Sequence, residues 1–69
     1  MRAKEKDLSK RELEVMQMIA DGLTDDQIGL RLFVTVHTAN AHRKKLREKL
    51  DVHNVAALVA MAFRKNLVK

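Results

Sequence analysis

The chain has no cysteine, proline, tryptophan or tyrosine, and only two glycines and two phenylalanines among its 69 residues. Without cysteine there is no disulfide framework and no thiolate metal site. No apolar run approaches the roughly 20 residues that cross a bilayer. The opening stretch, residues 1–7, is charged and is not followed by an apolar segment, so no signal peptide is expected. A cytoplasmic protein with no membrane partner is the expectation. The lack of proline and scarcity of glycine favour an all-helical chain. Scarce aromatics leave little surface for stacking single-stranded bases. A chain this short makes one domain, near the lower limit for folding alone, and is too small for a deep substrate pocket. With no nucleophile–base pair, metal cluster or phosphate loop in view, neither an enzyme nor a cofactor is expected.

What the chain does have is cationic charge. Lysine and arginine number 14 against 9 acids, a formal net charge of +5, which favours a polyanionic partner. The excess is concentrated. Arg43, Lys44, Lys45, Arg47 and Lys49 face a single acid, Glu48. They form the rear half of a segment, 35–50, that reads as one helix. Ala39, Leu46 and Leu50 share its apolar side at helical spacing. Its front carries the small polar set His37, Thr38, Asn40 and Ala41. Short side chains let a backbone approach base edges, and cations neutralise phosphates, so this helix suits a DNA major groove. Basic helices also lie on RNA and membranes, and many are simply solvated.

Helix starts are well marked. Ser9 with Glu12 and Thr24 with Gln27 are two capping boxes, each flanked by a candidate hydrophobic staple, Leu8 with Leu13 and Leu23 with Ile28. Thr35 and Asn54 are good caps for two further helices. The predicted architecture is a compact all-α, four-helix domain over 8–69, with helices near 10–21, 25–31, 35–50 and 54–65, after a flexible charged arm at 1–7. The first helix should turn Leu13, Met16, Ile19 and Ala20 inward and end at Gly22. The second should bury Ile28 and Leu32. Gly29 costs about 1 kcal/mol there relative to alanine, which close approach of a neighbour would explain. A short helix, a three-residue link and a longer basic helix make a helix-turn-helix. In the fourth helix, Val55–Phe63 is apolar on both faces, so one face needs a partner. Asn66 should cap it, with Leu67 and Val68 folding back on the core.

Blander roles fit other conspicuous residues. His37 and His42 are five apart, about 140° round a helix, and His53 lies beyond it, so no metal site is expected. Asp25 and Asp26 suit the positive end of the second helix. Ser9 has no base beside it. Met16, Met18 and Met61 sit where packing needs them. Arg2, Lys4 and Lys6 are read as a solvated arm.

The segments LSKRELEVM (8–16), ADGLTDDQIG (20–29), LFVT (32–35), TANAH (38–42) and KLDV (49–52) resemble, in order and spacing, the LuxR/NarL-type (GerE-like) DNA-binding domain of bacterial transcription regulators. The resemblance covers about 8–68. It implies a sequence-specific regulator of double-stranded DNA, acting in the cytoplasm at the nucleoid, with the fourth helix commonly mediating dimerisation. By position it places base reading on Asn40, Ala41 and Lys44, with His37 as an addition. Phosphate contacts fall on Thr24, Thr35, Thr38, His42, Arg43 and Lys45. A homodimer would use Val55, Ala56, Val59, Ala60 and Phe63.

The chain departs from that pattern in places. Asn40 stands where the family often has lysine, and asparagine can pair bidentately with adenine. Ala39 stands where valine is common, Val55 where arginine is frequent, and Asp51 and Asn66 where glycines are common. Two alternatives remain open at this stage. One is a domain like region 4 of a sigma factor, bound to RNA polymerase. The other is a protein-interaction module or anti-activator that pairs with another regulator through 55–63.

Overall fold

The computed structural model describes residues 8–69, so the expected arm at 1–7 lies outside the described residues. Four helices follow one another: α1 (Lys10–Ala20), α2 (Asp25–Leu32), α3 (Val36–Lys49) and α4 (Val55–Arg64). Each lies within a residue or two of its expected span; the differences are cap residues except at α2, which takes in Leu32, expected in the link.

All four helices begin with a side-chain cap. Ser9, Thr24, Thr35 and Asn54 accept hydrogen bonds from the backbone N–H groups of Glu12, Gln27, Thr38 and Ala57. Both expected capping boxes close reciprocally: Glu12 and Gln27 each accept back from the N–H of their own cap at 2.8 Å. Each satisfies a donor that the first helical turn leaves unpaired.

The four ends are also alike. Gly22, Phe33, Asp51 and Asn66 all have positive φ, between 56° and 88°. In each case the next residue's N–H reaches back to a carbonyl five residues earlier. Leu23 bonds to Met18, Val34 to Gly29, Val52 to Arg47 and Leu67 to Ala62. This closure satisfies the last carbonyls and turns the following apolar residue inward. Leu23, Val52 and Leu67 accordingly pack on the core. Gly22, Asp51 and Asn66 tolerate such a conformation. Phe33, which falls in the expected link between the second and third helices, does not share their advantage, and nothing in its residue type signals a positive φ.

The core comprises Val15, Met16 and Ile19 of α1, Ile28 of α2, Ala39 and Leu46 of α3 with the adjacent Leu50, Leu58 and Ala62 of α4, and Val68. α3 packs against each of the other helices, most broadly against α2. The inward stripe of α1 differs from the expected Leu13, Met16, Ile19 and Ala20. Val15 is fully buried while Leu13 and Ala20 are half-buried. The buried stripe is Glu12, Val15, Met16, Ile19, a clean helical repeat with an acid in it. Hydropathy alone does not pick that stripe, because its first member is charged.

Glu12 is buried for a reason. One oxygen, Oε1, accepts from the Ser9 N–H at 2.8 Å and from Lys49 Nζ at 2.9 Å. Burial would raise its pKa, but the Ser9 N–H and the Lys49 ammonium together outweigh that and hold it below the ordinary 4.5. The pair ties the start of α1 to the end of α3. Among the described residues no helix is long and apolar enough to cross a membrane.

Candidate nucleic-acid interface

The site is built on α2, the Phe33–Thr35 link and α3. Gly29 is the hinge of this arrangement. It is buried, and a Cβ placed on it would stand 2.8 Å from the Val34 carbonyl oxygen. The expected close approach is therefore made by the backbone of the link itself, which lies against α2 where a side chain would be. That closeness lets Thr35 start α3 three residues after α2 ends.

α3 is about 21 Å long from its 14 residues. Ala39, Leu46 and Leu50 face the core as expected. The residues expected to read bases, His37, Asn40, Ala41 and Lys44, are all exposed. Their spacing puts them on one side of the helix, within an arc of about 100°. Thr38, His42 and Lys45 form a neighbouring stripe, with His42 half-buried and the other two exposed. Thr24 and Thr35 are exposed at the starts of α2 and α3, next to N–H groups that favour an anion. The Thr35 hydroxyl also lies 3.1 Å from that of Thr38. Polar and cationic groups thus border the base-reading side.

Two of the cations on α3 are already paired within the domain. Lys49 is on Glu12, and Arg43 Nε lies 3.0 Å from Asp25 Oδ1 on α2. The Arg43–Asp25 contact is an ion pair not aligned as a hydrogen bond. The other Asp25 oxygen, Oδ2, accepts from Asn40 Nδ2 at 3.0 Å. Arg43 and Asn40, expected to contact DNA independently, are thus both held by one carboxylate. From the sequence, Asp25 is expected only to suit the positive end of α2. The missed signal was an acid opening the second helix of a helix-turn-helix, beside a basic third helix.

His37 and His53 are exposed, and among the described residues no group of histidines and acids could hold a metal ion. On α4, Ala56, Ala60 and Phe63 are exposed and Val55 and Val59 half-buried, while Leu58 and Ala62 face the core.

Four capped helices, a backbone-tight link and an exposed polar and cationic third helix define a helix-turn-helix domain of the kind that binds duplex DNA. Residues 6–62 match the GerE family, described as bacterial regulatory proteins of the luxR family. The chain belongs to that family. It is 41% identical over 61 residues to the transcriptional regulatory protein LiaR of Bacillus subtilis (strain 168), covering 88% of this chain and 29% of that protein. It is 43% identical over 61 residues to the oxygen regulatory protein NreC of Staphylococcus haemolyticus (strain JCSC1435), covering 88% and 28%. The chain spans less than a third of the length of these curated relatives.

Proposed function

We propose that this domain binds double-stranded DNA sequence-specifically and regulates transcription at the bacterial nucleoid, in the cytoplasm. α3 lies in the major groove. Asn40, Ala41 and Lys44, with His37, face base edges. Thr24, Thr35, Thr38, His42 and Lys45 contact phosphates. The observation that carries this reading is the exposed face of α3, polar at its front and flanked by cations, held out by a short link. Membership of the luxR family supports it over a sigma-factor-like domain, as does the apolar α4 that follows the recognition helix.

Two copies pair through Val55, Ala56, Val59, Ala60 and Phe63. Support comes from the exposed Ala56, Ala60 and Phe63 on one side of α4, the last with 48% of its surface in water. The two α3 helices would then stand about 34 Å apart, one turn of DNA.

Mobility-shift titrations at several salt concentrations test the DNA reading. Each neutralised phosphate should contribute about −0.9 to the log–log slope. Lys45→Ala should weaken all sequences alike, and Asn40→Ala mainly the preferred one. A flat salt response, or equal loss for both variants on every sequence, would overturn the assignment. Sedimentation of Ala60→Glu tests the pairing, since a buried charge at that position should shift the protein to monomer. An anti-activator would instead leave duplex DNA unshifted.

A further inference from the structure

We propose that Asp25 is a specificity-determining positioning residue, fixing the Asn40 amide for base reading and keeping the Arg43 charge from acting on phosphates. The proposal rests on the reading of Asn40 as a base-facing residue.

Asp25 is the first residue of α2, directly after the cap Thr24, in a turn closed by the reciprocal bonds of the capping box. α2 is in turn pressed on the link at Gly29. The carboxylate is therefore held in place relative to α3, and its side chain is only 23% exposed. A carboxylate only accepts, so the group of Asn40 that faces it must be the amide nitrogen. The contact at 3.0 Å uses one Nδ2 hydrogen and sets the plane of the amide. The second Nδ2 hydrogen and Oδ1 remain, a donor and an acceptor in one fixed order. Adenine offers N7 and N6–H to such a pair in the major groove. An untethered amide can turn over and present the opposite order, or donate to the two acceptors of guanine. Tethering removes those options.

Asp25 Oδ1 lies 3.0 Å from Arg43 Nε, and the Arg43 side chain is 20% exposed. An arginine free on this helix would pull on any phosphate regardless of sequence. With Asp25 beside it, that charge is offset inside the protein. Loss of Asp25 should therefore strengthen binding to arbitrary DNA while weakening the preference for one base pair.

Asp26 supplies the control. It shares the first turn of α2 and the same formal charge, is exposed, and among the described residues its carboxylate forms neither an ion pair nor a hydrogen bond. Asp25→Asn and Asp26→Asn remove equal charge from the same helix end. Selection of bound sequences from random DNA, followed by salt titration of binding to a scrambled duplex, compares them.

Asp25→Asn should lose roughly tenfold of its discrimination at the base pair that Asn40→Ala also affects. Its scrambled-DNA salt slope should steepen by about 0.9, and adding Arg43→Gln should cancel that change. Asp26→Asn should keep the base preference. Equal behaviour of the two aspartate variants would overturn the proposal, leaving a simple charge effect. If Asn40→Ala relaxes one base pair and Asp25→Asn does not, the proposal fails and the base-reading assignment stands. If Asn40→Ala relaxes none, the assignment itself fails and the proposal falls with it.

Discussion

Alanine at position 29 sets two effects of opposite sign against each other. In a helix interior alanine is favoured over glycine by about 1 kcal/mol. Position 29 lies inside α2, so propensity predicts a more stable protein. The tertiary contact predicts the reverse. The new Cβ would stand 2.8 Å from the Val34 carbonyl oxygen and 3.5 Å from the Thr35 carbonyl carbon and oxygen. The close neighbour is backbone and cannot rotate away. It is also tethered, because the Val34 N–H donates to the Gly29 carbonyl at 2.9 Å. Relief requires the link to move off α2, carrying the start of α3 with it. Overpacking of this kind costs about 1–3 kcal/mol. Set against the propensity gain, the net is a loss of roughly 1 kcal/mol. For a domain of this size that lowers the thermal midpoint by about 4–8 °C. Circular dichroism melts of Gly29→Ala and wild type measure it. Gly22→Ala is the comparison: nothing lies within 4 Å of a Cβ there, and its cost comes only from a φ of +88°. A higher midpoint for Gly29→Ala would show that propensity wins and would refute the close-approach argument.

Two further outcomes follow from the packing and the caps. Phe33 has a φ of 59° yet is 94% exposed, so its ring contributes little packing to offset the strain. Phe33→Asn should raise stability by about 0.5–1 kcal/mol in the same melts, and a lower midpoint would mean that the ring is structurally needed. The Glu12 carboxyl has a folded pKa below the ordinary 4.5. The unfolded chain therefore takes up the proton first as pH falls. The stabilisation is complete above about pH 4.5 and disappears as pH drops through the lowered folded value. Glu12→Gln keeps a capping side chain but loses the charge opposite Lys49. It should cost about 1–3 kcal/mol at neutral pH and flatten the acid limb of a stability–pH curve. An unchanged acid limb would remove Glu12 as its source.

Much of the fold was legible because its signals are short-range. A capping box spans four residues, and a helix end is closed within six. Ser9, Thr24, Thr35 and Asn54 at the starts, and Gly22, Asp51 and Asn66 at the ends, act within that range. The core face of α3 was legible for the same reason, since Ala39, Leu46 and Leu50 follow the helical repeat. Phe33 lies in the expected link, but its left-handed conformation was not legible because its residue type argues against one. Tertiary packing of the link against Gly29 overrides that preference. Hydropathy favours Leu13 over Val15 as an inward residue, because the buried stripe of α1 contains Glu12, whose burial depends on a lysine 37 residues away.

By itself, then, the sequence determined where each helix begins, how α1, α3 and α4 end, which side of α3 faces the core, and that the chain belongs with basic helix-turn-helix domains. Those are consequences of backbone hydrogen bonding and hydrophobic periodicity, which neighbouring residues decide among themselves. Only the tertiary structure decided how the charges of α3 are used. Asn40 meets Asp25 across 15 residues of sequence, and Arg43 meets the same carboxylate. Lys49 reaches back to α1. These pairings depend on how α1, α2 and α3 pack, with the link seated against Gly29 and Glu12 buried at the start of α1.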